Sequence, residues 1–344
     1  MPHRATLPDV AQHAGVSLAS ASRALHGTGA SAAMVERVRA AATQLGYQPH
    51  ATGRSLRLRR TSQIAFAVAD IGNPVYVEMM TAIQAVVGAR GLRLLLAPTG
   101  STSQDTVDLV RGLAAGSVDG LVISPLRISD ELVRTLREIP VPVVVIGRPL
   151  VADALDSVST DSAAGVGLAV EHLVATGRRC LAFLNGPLDT TPGAARRRGF
   201  DEATGAPGFR AEVVGGAVAA DFTAAAGLEA ARRLFASRPV PDAVVAANDL
   251  LAVGAMRAAR EAGLRVPEDV AVTGMDDTDL AGLLDPTLTS VSLGTAERGR
   301  AAARLLLDRL DEPDRVRRSV LVAPRLVARE STGAVHRSAP EAAP

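Results

Sequence analysis

Hydrophobic positions along this chain follow two rhythms, and the change between them comes near residue 60. Before it, apolar residues recur at helical intervals in short stretches. Leu7, Val10, Ala11 and Ala14 stand at i, i+3, i+4 and i+7 and predict one face of a short helix, which Gly15 breaks. Ser17 is placed to cap a second helix running through Ser20. On that helix Ala21, Ala24 and Leu25 face inward, leaving Leu18, Ala19, Ser22 and Arg23 outside. Ser31 caps a predicted third helix, whose Met34 or Val35, Val38, Ala42 and Leu45 close a miniature core before the chain leaves the helix near Gly46.

From Ser62 the repeating unit is a compact apolar run followed by an amphipathic stretch. QIAFAVAD, LRLLLAP, DGLVIS, PVVVIG, CLAFLNG, DAVVAAND and DVAVTGMD each end in Gly, Pro, Ser or Asp. Runs that are apolar on both sides, separated by helical crossovers, imply parallel sheets covered on both faces. About ten strands in roughly 250 residues suit two lobes better than one. The predicted fold class is therefore α/β: an all-α headpiece ahead of two doubly wound parallel-sheet lobes. In such sheets ligands bind beyond the carboxyl ends of the strands. By position alone this singles out Asp70, Asn73, Ser124, Gly147, Arg148, Asn185, Asn248, Asp249, Asp276 and Asp277.

Charge distinguishes the two parts. The chain carries +1 overall, but residues 1–60 hold eight arginines against Asp9 and Glu36, a net +6, which leaves the body at −5. A basic end on an acidic body suggests a polyanion partner, because neutralising phosphates releases counterions. The Gly15-Val16 turn between two short helices has the spacing of a helix-turn-helix, in which early residues of the second helix meet base edges in the major groove. Arg23 there can donate a bidentate pair to guanine. Cys180 is the only cysteine, which excludes an internal disulfide and a cysteine-clustered zinc site and leaves a buried small hydrophobe as its default role. The start, MPHRATLPDVAQ, lacks the apolar stretch of a secretory signal, and no run approaches the roughly 20 apolar residues of a membrane span, so a cytoplasmic protein is expected. No strand is followed by Gly-x-Gly-x-x-Gly, there is no lysine to serve a phosphate loop, and no nucleophile elbow or histidine cluster occurs. Neither an enzyme nor a cofactor is expected.

The segments TLPDVAQHAGVSLASASRALHG (Thr6 to Gly27) and GYQPHATGRSLR (Gly46 to Arg57) resemble the headpiece and hinge of the lactose-repressor (LacI/GalR) family. The resemblance implies that Leu18, Ala19 and Arg23 read bases, that Ser17, Ser20, Ser22 and His26 lie near base edges or phosphates, and that Ser31 anchors the third helix. Thr6 and Arg54 join that set of DNA-contacting residues. Leu56 stands where the family carries an apolar wedge that enters the minor groove. Leu18 and Ala19 depart from the larger polar pair often found there, so the operator sequence does not carry over, and Met34 replaces a usual hydroxyl residue.

Further on, DIGNPVY (Asp70 to Tyr76), VSTDSAAG (Val158 to Gly165), HLVATGRR (His172 to Arg179), GPLDTTPGAARRRGF (Gly186 to Phe200), ANDLLAVGAMRAAREAGLRVPEDVAVTGMDD (Ala247 to Asp277) and PTLTSV (Pro286 to Val291) resemble, in order, the family's effector domain, itself similar to periplasmic sugar-binding proteins. The implied organisation is a headpiece over 1–48, a hinge over 49–61, an effector core over 62–335, and a disordered tail over 336–344. Within the core, one lobe takes about 62–161 and 291–322 and the other about 162–290 and 323–335, with crossings near Asp161, Ser290 and Val322. Arg196, Asn248 and Asp276 are implied to bind the effector from the second lobe with Phe222 as an apolar wall, and Asn73 and Tyr76 to face it from the first. Gly147 stands where many members carry an acid, an absence for which Arg148 or Ser124 is placed to compensate.

Plainer roles compete at these positions. Arg196 can make a surface salt bridge beside Arg197 and Arg198, Asn248 and Asp249 can cap the next helix, and Asp276, Asp277 and Asp279 can cap or hold a cation. The expected partners are a near-palindromic operator DNA, a mono- or disaccharide effector and a second copy of the chain, without a membrane. The C-terminal HRSAPEAAP has no leucine heptads, so a dimer without a tetramerising coiled coil is expected. The alternatives are a purine or a partner protein as corepressor, or a sugar-binding transport component, which would need a secretory signal in place of the helix-turn-helix.

Overall fold

Helices α1 (Leu7–His13), α2 (Leu18–His26) and α3 (Ala32–Gln44) enclose a core of Val10, Ala11, Ala14, Ala21, Ala24, Val38, Ala41 and Ala42. The computed structural model describes residues 5–26, 29–47, 60–100, 102–147 and 155–333, and the chain divides into two units, Met1–Thr61 and Ser62–Pro344. Arg54 and Leu56 of the expected hinge, Arg148, the 336–344 tail and the side chain of His26 lie outside the described residues. In the first unit Gly15 turns the chain at φ +64°, a left-handed conformation that favours glycine. Ser17 Oγ then accepts the Ser20 N–H at 3.1 Å to start α2, and Ser31 Oγ accepts the Met34 N–H at 3.4 Å to start α3. His13 Nε2 bonds Gln44 Oε1 at 2.9 Å, tying α1 to α3. One expectation fails here: Ser22 is buried rather than outside. Helix α2 packs on both α1 and α3, so its covered face is wider than the single stripe of Ala21, Ala24 and Leu25.

The second unit holds two sheets. The first is built from β1 (Gln63–Val68), β2 (Arg93–Pro98), β3 (Gly120–Ser124), β4 (Val143–Ile146), β5 (Asp156–Thr160) and β11 (Ser319–Val322), in the spatial order β11-β5-β4-β3-β1-β2 and parallel throughout. Its strands read as continuous apolar runs because both faces are covered. Ile64, Phe66, Val68, Val122, Val144 and Ile146 pack under α4 (Pro74–Gly88) and α12 (Thr295–Asp311). The alternate residues Ala65, Ala67, Leu121, Ile123, Val143 and Val145 pack under α5 (Ser103–Ala114) and α6 (Asp130–Glu138). Each large side chain so buried contributes about 1.5–3 kcal/mol.

The second sheet contains β6 (Cys180–Asn185), β7 (Glu212–Val218), β8 (Ala243–Ala246), β9 (Ala271–Asp276), β10 (Thr289–Ser292) and β12 (Arg325–Val327), ordered β12-β10-β9-β8-β6-β7, with only the edge strand β12 antiparallel. Around it run α7 (Ser162–Ala175), α8 (Thr191–Thr204), α9 (Ala224–Ala236), α10 (Asp249–Glu261) and the short α11 (Asp279–Leu283). Cys180, expected to be buried, is partly exposed where β6 begins.

Three connections join the lobes: at Asp161 between β5 and α7, at Leu293 and Gly294 between β10 and α12, and at Ala323 and Pro324 between β11 and β12. The second follows Leu293 rather than Ser290, because Ser290, Val291 and Ser292 are still paired with Gly274, Met275 and Asp276 in the second sheet. Across the lobes, Arg127 Nε donates to Asp189 Oδ2 at 2.7 Å and the Thr191 N–H to the Leu126 carbonyl at 2.8 Å.

Candidate functional site

In the headpiece, the start of α2 presents Ser17, Leu18 and Ala19 to solvent, with Leu18 51% exposed. One turn on, Arg23 is also exposed, its guanidinium within 3.5 Å of Ser20 Oγ. Thr6 donates through its N–H at 2.8 Å and its Oγ1 at 2.7 Å to Asp9 Oδ2, which fixes the start of α1. The exposed side of α2 thus combines a hydroxyl, an apolar side chain and a guanidinium, the mixture that serves phosphate, thymine methyl and guanine edge respectively.

In the second unit a cavity of about 720 Å³ lies at the carboxyl ends of both sheets. Ser124 ends β3, Gly147 follows β4, Thr160 ends β5, Asn248 follows β8 and Asp276 ends β9, and all of them line it. Its deepest polar pair is Arg196 and Asp276. Three successive arginines on α8 point in different directions: Arg197 and Arg198 reach Asp201 and Glu202 at the surface, whereas Arg196 turns inward and is 7% exposed. Arg196 Nη1 donates to the Ala247 carbonyl at 2.7 Å and Nη2 to Asp276 Oδ1 at 3.5 Å, and the guanidinium lies 5.9 Å from the centre of the Phe222 ring. The surface-pair alternative therefore belongs to Arg196's neighbours.

Asp276 and Asp277 both adopt positive φ, 109° and 56°. Such backbone strain persists only where the surroundings over-determine it, and it concentrates at functional sites. Burial raises the Asp276 pKa, against the opposing pull of Arg196 and Arg298. Asp277 is committed elsewhere, accepting from Arg329 Nη2 at 2.7 Å, and among the described residues no cluster of His, Cys, Asp or Glu could hold a metal ion.

The amides mix lining and scaffolding. Asn248 Oδ1 accepts the Leu251 N–H at 2.9 Å, so it does cap α10, while its Nδ2 donates to the Phe222 carbonyl at 3.1 Å and holds the segment that carries the ring. Asn73 Oδ1 accepts the Val75 N–H at 3.1 Å at the start of α4. Asn185 is purely structural: its Nδ2 donates to the Gly193 carbonyl and its Oδ1 accepts the Gly186 N–H, both at 2.9 Å. Asp249 does not cap α10; its carboxylate accepts from Ser290 Oγ at 2.5 Å and from the N–H and Oγ1 of Thr278, which precedes α11, at 2.8 and 2.9 Å. Tyr76 is buried with its hydroxyl beside Ser124, and desolvation, helped by Asp276, pushes its pKa up to about 12.

A family model of bacterial regulatory proteins, lacI family, matches residues 6–50, and one of a periplasmic binding protein-like domain matches residues 170–332. The HTH-type transcriptional regulator CelR of Thermobifida fusca is 36% identical over 336 residues, spanning 95% of this chain and 98% of that protein. The chain belongs to the lacI family of bacterial regulatory proteins. Among solved structures, a complex of CelR with cellobiose is 35% identical with a TM-score of 0.72, covering 95% of this chain and 100% of that one. The lac repressor dimer bound to operator and the anti-inducer ONPF is 28% identical with a TM-score of 0.85, covering 96% and 99%.

In this lacI-family chain the cavity gathers Asn73, Tyr76, Ser124, Arg196, Phe222, Asn248 and Asp276 from stretches far apart in sequence. It also holds a residue that sequence reading missed, Arg298 of α12, which is 8% exposed and lines the same floor. The signal was present: Arg298, Ala302 and Leu305 stand at i, i+4 and i+7, so an arginine occupies the apolar stripe of an amphipathic helix. Among the described residues no helix is long and apolar enough to cross a membrane.

Proposed function

We propose that this lacI-family protein is a cytoplasmic, non-enzymatic transcription repressor that grips a near-palindromic operator as a homodimer and changes its grip when a small carbohydrate binds between its lobes. The observation that carries this reading is the cleft floor. An arginine fork, a carboxylate and an amide converge there on one wall, and a phenyl ring stands beside them. Donors and acceptors in that arrangement suit vicinal hydroxyls, and a ring covers an apolar sugar face. Relatives support each half: CelR was solved with cellobiose, and the lac repressor as a dimer on its operator with an anti-inducer. A purine is disfavoured because Tyr76 and Phe222 are the only aromatic side chains lining the cavity among the described residues, which leaves little surface for stacking a base.

In this reading Ser17, Leu18, Ala19, Ser20 and Arg23 face DNA, and Leu56 enters the minor groove between paired hinges. The effector holds the lobes through Arg196, Asn248 and Asp276 on one side and Asn73, Tyr76 and Ser124 on the other. Because Leu293 and Gly294 link the second sheet to α12, rotation of the lobes displaces that helix and the first lobe around it. Coupling of this kind is typically about 1–3 kcal/mol and is reciprocal between DNA and effector. Selection of bound duplexes from a random pool, with and without a panel of pentoses, hexoses, disaccharides and purines, tests the proposal. A palindromic motif whose recovery changes with one sugar is expected; no duplex preference under any condition overturns it.

A further inference from the structure

Arg298 and Arg309 lie on the same covered face of α12, and their surroundings treat them oppositely. Arg309 donates to Asp156 Oδ2 at 3.0 Å and to the carbonyls of Pro313, Arg315 and Val316, so its charge is fully engaged in holding the lobe together. Arg298 is also buried, yet among the described residues it makes one long bond, from Nη2 to Thr295 Oγ1 at 3.5 Å, and its Nε has no partner. The Nε of Arg196, across the same floor, is also without a partner. Buried guanidinium groups are ordinarily paired, because leaving water without compensation is costly.

The charges around Arg298 do not supply that compensation. Among the described residues Asp276 is the one buried carboxylate lining the cavity, and both Arg196 and Arg298 act on it. Asp249 does not line the cavity and is occupied by Ser290 and Thr278. Asp277 is paired with Arg329. Glu78 is exposed and receives the Ala296 N–H. Among the described residues the floor therefore sets two buried guanidinium groups against one buried carboxylate, while Asp70, Asp161 and Asp221 line the cavity from exposed positions nearer its mouth.

We infer that the effector of this protein is an anion, a polyhydroxylated molecule whose carboxylate or phosphate is received by Arg298 together with Arg196. This rests on the cleft being the effector site and names the chemical class it takes. Planar guanidinium forks match the paired oxygens of either group, and a neutral sugar leaves the charge on Arg298 unmet. Asp276 then keeps its role toward the hydroxyls at the other end of the ligand.

The test uses the full-length protein in two arms. Calorimetry compares neutral sugars with their uronic acids, aldonic acids and phosphates, in wild type and Arg298→Met, with Arg298→Lys as the charge-retaining control. One acid or phosphate is expected to bind at least tenfold more tightly than its neutral parent, with Arg298→Met losing that preference, Arg298→Lys keeping part of it, and the winning arm telling carboxylate from phosphate. In parallel, inorganic phosphate at fixed ionic strength is expected to raise the Tm of wild type more than that of Arg298→Met. The methionine variant is also expected to melt higher than wild type without ligand, since an unmet buried charge has been removed. A neutral sugar that binds best and shifts operator affinity would leave the repressor reading standing and overturn this one. Equal phosphate shifts in wild type and variant overturn it as well, whatever the sugar panel shows.

Discussion

Asp276 meets Arg196 3.5 Å away at the floor of the cleft, both nearly buried, and among the described residues it is the one buried carboxylate that the cleft offers to Arg196 and Arg298 together. Neutralising it therefore leaves two buried guanidinium groups without an anion. Asp276→Asn is expected to lower stability by about 3–5 kcal/mol, the range for breaking a buried pair. It should also abolish the effector response while operator affinity of the folded protein stays within threefold. Denaturant titration and operator binding with and without effector check both parts.

Arg309 and Asp156 form a second buried pair, 3.0 Å apart and 4% and 3% exposed, far from any ligand role. Arg309→Met should destabilise by about 3–5 kcal/mol because Asp156 keeps its charge in the interior. Equilibrium unfolding of the effector core reads this directly. Little or no loss would show the pair to be dispensable.

Gly186 lies against the Phe222 ring so closely that an added Cβ would sit 2.3 Å from Phe222 Cε1. Gly186→Ala must push the ring out of place, a flexible side chain yielding rather than backbone. Effector affinity is expected to fall about tenfold, the usual size of one misplaced apolar contact, with at most about 1–3 kcal/mol of overpacking cost. Calorimetry and a melting curve separate the two effects.

Arg23 is the exposed guanidinium on α2. Arg23→Ala should cost about 1–3 kcal/mol of specific operator binding and relax the preference at one base position in each half-site. Binding to unrelated duplex should weaken far less, which competition assays resolve.

Asp249 is buried, and desolvation first and Asp276 second raise its pKa to about 7. The folded state then holds a proton that the unfolded chain, at the usual 3.8, has already lost. Stability from this group is fully present below about pH 4, falls as pH rises toward 7, and is level above that. Asp249→Asn, which cannot titrate, should show a smaller fall in stability between pH 4 and pH 7 than wild type. Parallel slopes in the two proteins would contradict this account.

Much of this architecture was legible in the chain. Helical spacing marked α1 to α3 with the Gly15 turn and the Ser17 and Ser31 caps, because those are local features whose physics lies within a few residues. Apolar runs marked β1 to β4, β6, β8 and β9, since covering a sheet on two faces leaves no polar alternation to obscure them, but not β5, β7, β10, β11 and β12, whose residues are more polar or interrupted by glycine. The resemblance gathered Arg196, Phe222, Asn248 and Asp276, and the cavity does contain all four.

What the sequence determined by itself was therefore what periodicity and local hydrogen bonding control: the headpiece helices and their caps, and the central apolar strands of both lobes. Only the tertiary structure decided which charges would go unpaired. The fates of Ser22, Asn185 and Arg298 depend on partners distant in the chain: a third helix over Ser22, the Gly193 carbonyl beside Asn185, and the absence of a second buried carboxylate lining the cavity with Arg298 among the described residues. Burial and charge balance are sums over neighbours in space, and a linear pattern carries no record of that sum.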